Sequence, residues 1–285
     1  MCRLYGFRAN EETKVECTLA HAQNALMLQS RADLRGKSHP DGWGVGVYHN
    51  THPEIFRSAA AAYEDLHFNA TVERLYSRTV LAHVRRATVG EPSLLNCHPF
   101  SHGHWTLAHN GTVTGFERLR DTLVRETRPD LQRQRRGVTD SEQVFYWLLS
   151  RMARANLPPE KPCRDLPALS RVVAASVVEL AQRSQQAGAD DPAQLNFLLS
   201  DGHILLATCW NHTLYLVRRE GIRDCEICGI PHVHHQSATD YRAVVIASEP
   251  ISQEPWRAVA NKSLVAVDGT IRPEIQEIEA LVAAP

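Results

Sequence analysis

The order of secondary-structure signals limits this chain more than any single residue does. Short β-like runs with glycine-bearing turns fill roughly the first 115 residues, helical stretches fill the middle, and β-like runs return to the end. "WGVGVYHN" (43–50) and "RTVLAHVRRA" (78–87) predict strands from β-branched content and short length. "WTLAHNGTV" (105–113) reads as a strand entering a tight Asn-Gly turn. Residues 16–34 carry Leu19, Ala22 and Leu26 at helical spacing. Helices are predicted over 115–127, over 140–155 with Asp140 or Thr139 as cap, and over 166–188 ending at Gly188. "LNFLLSDG", "HILLATCW", "TLYLVRRE" and "YRAVVIASE" then read as strands. Strands, helices and strands again predict an α+β chain with two mainly antiparallel sheets and helices packed outside them. The Pro-rich loop 156–167 separates two helices. Neither half holds a complete sheet, so one domain over 2–285 is expected.

Bulk properties narrow the function classes. With 285 residues, 43% of them hydrophobic, the chain can bury a core without staples. A formal net charge of −1 offers no footprint for nucleic acid or an anionic membrane. The short basic run Arg133, Arg135 and Arg136 reads as a solvated face. No apolar stretch is long enough to span a bilayer, and "MCRLYGFRANEETK" lacks the apolar core of a secretory leader. Seven irregularly spaced cysteines argue against a disulfide framework. The expectation is a cytoplasmic protein with reduced thiols.

Cys2 poses the chemical question. Chain ends usually fray, so a thiol there adds little to a core. Removal of Met1, expected because the second side chain is small, puts a thiol and an α-amine on one residue. A thiol is mostly protonated at neutral pH. An α-amine titrating near ~7.7–8.0 suits the task of general base. Taken alone, Cys2 can equally be a spectator. Acyl transfer also needs preset oxyanion donors. Asn110 and Gly111 in "AHNGTV" supply a side-chain amide and an unshielded backbone N–H, although Asn-Gly is also a common hairpin turn. Arg85 or Arg86 in "AHVRRATVG" offers a planar grip on a carboxylate, or a surface charge on an edge strand. Asp140 is placed for a substrate ammonium or for a helix cap.

Together "MCRLYGF", "HPDGWGVG", "AHVRRATVG", "NCHPF" with "LAHNG", and "TDSE" occur in an order that resembles the class II glutamine amidotransferases, within the N-terminal nucleophile hydrolases. The resemblance implies a four-layer α-β-β-α sandwich. It implies Cys2 as nucleophile, with its own amine as base. Asn110 and Gly111 match the oxyanion hole, Arg85 the clamp on the glutamine α-carboxylate, and Asp140 the acid that holds the α-ammonium. His83 and Thr88 match accompanying pocket positions, and His98 in "NCHPF" is expected to line the pocket. Asp41, Gly42, Trp43 and Gly44 match a glycine-rich strand beside the nucleophile, with Trp43 expected at the substrate. Arg86 stands where the family often has an aromatic residue.

The implied reaction is cleavage of a γ-glutamyl amide through a thioester, with no cofactor required. The substrate is a small molecule, glutamine or a γ-glutamyl conjugate. One alternative is a glutaminase subunit feeding ammonia to a separate synthase. Others are a relative that binds γ-glutamyl groups without cleaving them, and a zinc-binding or scaffolding protein. The last rests on "RDCEICGIPHVHHQ" (223–236), where Cys225, Cys228, His232 and His234 (with His235 nearby) have knuckle-like spacing. That segment reads as structural zinc, as a plain Cys/His-rich loop or as a redox pair. A zinc hydrolase is disfavoured by the lack of an H-E-x-x-H helix.

Overall fold

A computed structural model describes residues 2–49, 51–233 and 240–283. The first strand, β1 (Arg3–Lys14), is followed by a π-helical turn at Cys17–His21 and helix α1 (Leu26–Arg31). Then come β2 (Trp43–His49), β3 (His52–Ser58), α2 (Leu66–Val72) and β4 (Tyr76–Val84). The middle holds β5 (Phe100–His102), β6 (Trp105–Thr112), α3 (Phe116–Glu126), α4 (Pro129–Gln132), α5 (Asp140–Arg154) and α6 (Leu166–Gln186). The last part holds β7 (Gln194–Ser200), β8 (Leu205–Cys209), β9 (Tyr215–Glu220) and β10 (Arg242–Ala247). It ends with β11 (Arg257–Ala258), β12 (Ser263–Val267), β13 (Glu274–Glu277) and α7 (Ile278–Ala283). Among the described residues, no helix is long and apolar enough to cross a membrane.

Two sheets form, in the orders β11-β9-β10-β1-β4-β2-β3 and β13-β12-β8-β7-β6-β5, with antiparallel neighbours throughout. Side chains alternate between the faces of a strand, and β1 uses both faces. Leu4 packs with Leu81, Ala108, Leu198, Leu205 and Val265 between the sheets. Gly6 on the same face lies against Leu198. Tyr5 and Phe7 face the other way, into a core with Leu19, Leu26 and Phe68 from the helical layer. The second sheet buries its outer face under α3, α5 and α6, through residues such as Leu119, Phe145, Trp147 and Val173. The expected α-β-β-α layering is thus met.

Four details differ from expectation. The start of the chain is no frayed end, since Cys2 is only 7% exposed and β1 lies inside its sheet. The helix expected over 16–34 is split, because Ala22 and Ala25 take extended conformations between the π-helical turn and α1. Asn110 and Gly111 form no turn but pair with Asn196 and Leu195 inside β6. The glycine-rich β2 is one strand removed from β1, with β4 between them.

Two in-strand glycines are dictated by close approach rather than by φ. A Cβ at Gly111 would meet the Gln194 carbonyl oxygen at 1.9 Å, and one at Gly44 would meet the His98 carbonyl oxygen at 2.0 Å. Backbone cannot yield as a flexible side chain does, so overpacking here is costly. Gly44→Ala is expected to lower stability by about 3 kcal/mol or more, read as a lower urea midpoint. Gly269→Ala, where nothing lies within 4 Å of the added carbon, should leave the midpoint nearly unchanged.

Candidate active site

Cys2 enters the site from the buried start of β1. Among the described residues its Sγ hydrogen-bonds only with the backbone of Arg86, accepting from the N–H at 3.3 Å and donating to the carbonyl oxygen at 3.5 Å. Among the described residues no side-chain base is hydrogen-bonded to this sulfur. Burial pushes the thiol pKa up, and the Arg86 N–H and the Arg85 charge only partly oppose it. The group is therefore a protonated thiol until a base arrives.

The backbone around it is held by charge. Arg3 donates from Nη1 to the Cys2 carbonyl oxygen at 2.8 Å and from Nε and Nη2 to Glu249 at 3.0 and 2.7 Å. Its Nη2 also bonds Asp33. All three side chains are almost fully buried, but each charge has an opposite partner, which is the condition for tolerating such burial. His39 Nε2 lies 3.1 Å from the same Asp33. Its pKa is nonetheless pushed down to about 4, by burial first and then by Arg3, so His39 is a neutral donor.

Asn110 is set by β6. Its Nδ2 donates to Ser248 Oγ at 2.9 Å, and Ser248 Oγ in turn accepts from Leu4 N at 2.9 Å. Asn110 Oδ1 is buried with no partner among the described residues. Through Ser248, Asn110 is thus registered against the strand that carries Cys2. Asp140 opens α5 but is not its cap: Thr139 accepts from Glu142 N at 3.2 Å. The Asp140 carboxylate accepts from Val113 N and Ser141 N, both at 2.8 Å, and from Ser141 Oγ at 3.2 Å.

β4 ends at Val84, so Arg85 and Arg86 lie on its exit rather than alternating along a strand. Arg85 is buried and Arg86 half-buried. The Arg85 guanidinium donates to the carbonyl oxygens of Val89, Gly90 and Glu91 at 2.8, 2.8 and 3.3 Å, which shapes the loop that follows. That exit is laced to the "DGWG" segment: Asp41 N bonds Arg85 O, Arg85 N bonds Gly42 O, and Asp41 Oδ2 accepts from Ala87 N. Thr88 is exposed and reaches Thr112 at 3.3 Å.

Two further expected positions share a buried stack. The rings of His83 and His98 lie 4.2 Å apart, with Phe100 4.6 Å beyond His98. His83 Nε2 donates to the His109 carbonyl oxygen. Both ring nitrogens of His98 are buried and unpartnered among the described residues, an arrangement that a ligand can satisfy. Burial, above all, holds both rings neutral. Trp43 is not brought to this group. It sits in the sheet–helix core against Phe68, with its indole N–H on Asp65 at 3.0 Å.

A second cluster lies at the far end of β1. Cys17, Cys225, Cys228 and His232 offer four ligand atoms all within 4.8 Å of one another, a set able to hold a metal ion. Sequence reading expected the last three and missed Cys17, which is remote in the chain and carries no motif. His234, the fourth expected ligand, lies outside the described residues. Arg3, Asp33, Ser248 and Glu249 were likewise missed, because only the folded sheet brings residues 3, 33 and 249 together.

Acid should loosen this architecture. His39 and His212 both have pKa values pushed down to about 4 by burial and then by Arg3. A histidine of this kind binds fewer protons folded than unfolded. Its contribution is therefore complete above about pH 6.5 and lost as pH falls toward about 4, at up to roughly 3 kcal/mol for His39. Asp33 adds in the same direction. Burial raises its pKa, but the Lys37 N–H, Arg3 and the Arg35 N–H outweigh that and hold it low. The urea midpoint is expected to fall steadily between pH 6.5 and 4, and His39→Gln should flatten that slope.

With the geometry in place, known proteins bear on the chain. The family model for class II glutamine amidotransferases matches residues 1–281. The γ-glutamyl-hercynylcysteine sulfoxide hydrolase of Mycobacterium tuberculosis is 30% identical over 94% of this chain and 93% of its own. The glutamine–fructose-6-phosphate aminotransferase of Bradyrhizobium diazoefficiens is 25% identical over 73% of this chain but only 31% of its own. The solved glutamine aminotransferase class-II domain protein of Silicibacter pomeroyi superposes with a TM-score of 0.63 over 97% of this chain and 99% of that one, at 20% identity, and shares the fold. The chain is an enzyme of the amidohydrolase type, and it belongs to the class II glutamine amidotransferases.

Proposed function

We propose that this enzyme cleaves the γ-amide of a small γ-glutamyl compound through a thioester on Cys2, with residues 2–285 acting as one domain. The observation that carries the reading is the Cys2 thiol, buried, with its pKa pushed up by that burial and, among the described residues, hydrogen-bonded to no side-chain base. Such a thiol can be activated by the one base covalently attached to it, the α-amine exposed when Met1 is removed.

In this reading the amine takes the thiol proton, directly or through a water. The thiolate attacks the γ-carbonyl carbon, and the C=O electron pair moves onto oxygen. Asn110 Nδ2, whose other N–H is held by Ser248, and the Gly111 N–H stabilise that oxyanion. The amine returns the proton to the leaving nitrogen as the C–N bond breaks. Water then cleaves the thioester, releasing the γ-carboxylate and restoring the thiol. Arg85 grips the α-carboxylate, and Asp140 the α-ammonium with the acceptor capacity its three hydrogen bonds leave. His83, His98 and Thr88 line the pocket. No step uses a metal, and zinc at the separate Cys/His cluster would be structural.

A conjugate is favoured over ammonia supply to a synthase subunit because the relative named as a γ-glutamyl hydrolase aligns along nearly its whole length, whereas the fused aminotransferase aligns over under a third of its own.

Four experiments test the reading. Purified enzyme is given glutamine and a panel of γ-glutamyl amines, and ammonia and released amine are quantified. Faster amine release is expected; ammonia from glutamine alone would favour the synthase-subunit reading. Cys2→Ala should abolish turnover with the melting temperature retained, and intact mass should show Met1 absent from active enzyme. Retained Met1 in fully active protein overturns the mechanism. Ser248→Ala, which leaves Asn110 without its anchor, should lower kcat about tenfold, the equivalent of one ordinary hydrogen bond, with little change in KM.

A further inference from the structure

Residues 221–232, which follow β9, hold a defined conformation without a core of their own. From Gly221 to His232 no residue is buried; Cys228, Gly229 and Ile230 are exposed. Fixing each such residue costs roughly 1–2 kcal/mol of backbone entropy, and apolar burial here offsets little of it. Yet this stretch converges on one buried side chain, Cys17 at 4% exposure, in the π-helical turn that follows β1.

The convergence has the form of a ligand cage. Cys228 Sγ and His232 Nε2 are 3.1 Å apart. The Ile227 N–H donates to Cys225 Sγ at 3.4 Å, and the Gly229 N–H to the Cys225 carbonyl oxygen at 2.9 Å. Gly229 takes φ +74° to close that turn, which aims both thiols of the C-x₂-C step the same way. His232 is fixed in turn, because its carbonyl oxygen accepts from Lys14 N at 2.8 Å and Val233 bridges Thr13. None of the four residues shares a disulfide. Three thiols and an imidazole within 4.8 Å lie within about 1 Å of the ~3.5–3.8 Å edges of a tetrahedral zinc site, the widest pairs closing and the Cys228–His232 pair opening slightly.

We propose that Cys17 completes a four-ligand zinc site with Cys225, Cys228 and His232, and that the ion clasps the β9–β10 segment to the end of β1. Soft thiolates with one imidazole select zinc among divalent ions, and four protein ligands leave no open position for catalysis. The clasp walls one side of a cavity of about 590 Å³ that also meets Thr18, Arg219, Tyr241 and Glu254. Its distance from Cys2, roughly 35–40 Å along β1, makes it a structural element, separable from turnover.

The full-length protein is expressed with zinc, desalted, and its metal measured; one zinc per chain is expected. The metal-stripped protein is then titrated with cobalt(II), which should give the intense visible bands of tetrahedral cobalt thiolate. Cys17→Ser and Cys228→Ser should each lose most of the bound metal and those bands. Cys228 is exposed, so its variant keeps the test sound if Cys17→Ser fails to fold. Cys2 labelling by an electrophilic glutamine analogue should persist in Cys228→Ser, which separates this proposal from the catalytic one. Absence of stoichiometric metal with only weak octahedral cobalt bands overturns the site, as does a disulfide among these cysteines in the fresh protein. A wild-type cobalt spectrum from folded Cys17→Ser, or metal loss in His234→Ala in place of Cys17→Ser, overturns the ligand assignment.

Discussion

A polypeptide's first residues have little reason to stay inside a protein, and in this one a single guanidinium gives them one. Arg3 ties the Cys2 carbonyl to Asp33 and Glu249, so the backbone of Cys2 is anchored to two distant parts of the chain. The cost of burying a cation is met by two carboxylates, which in turn are satisfied by N–H groups and by Asn24. Removing Arg3 would leave two carboxylates in the interior without their cation, usually far more damaging than losing the whole group. The position of Cys2 therefore depends on electrostatic closure as much as on sheet pairing.

The same constraint explains why the surrounding histidines are not bases. His39, His83 and His98 are all driven toward the neutral form by burial, and Arg3 or Arg85 pushes in the same direction. A neutral imidazole donates and accepts hydrogen bonds without adding charge beside a thiolate. The site thus combines fixed cations, engaged carboxylates and neutral rings, which is why the proposed mechanism assigns the proton of Cys2 to the α-amine.

Much of this was legible in the sequence. Amphipathic stretches predict the three long helices, although α5 is buried on nearly every side from Asp140 to Ser150, and the late strands β7, β8 and β10 read as short apolar runs buried on both faces. The layering follows from their order. What failed were places where a local rule met a tertiary demand. Asn110-Gly111 has turn chemistry, but the cross-strand carbonyl of Gln194 requires a residue without a side chain, so the pair stays in β6. Trp43 belongs to a recognisable glycine-rich run, yet its indole is spent on the core and on Asp65. β1 itself was read for a leader and for a thiol rather than as a strand, because Arg3 and Arg8 interrupt its apolar pattern. Both arginines are buried, and only the fold reveals their partners. Cys17 and Ser248 carry no local signal at all.

β1 has β4 on one side and β10 on the other, and its anchor Glu249 comes late in the chain. During synthesis the opening segment therefore has to wait for almost the whole polypeptide to leave the ribosome, at rates of about 5–20 residues per second. For those seconds the terminus is open to an aminopeptidase; after β10 docks, Cys2 is enclosed. The removal of Met1 that the proposed mechanism requires would thus race against completion of the sheet, with the outcome set by where the last pairing strand lies in the gene.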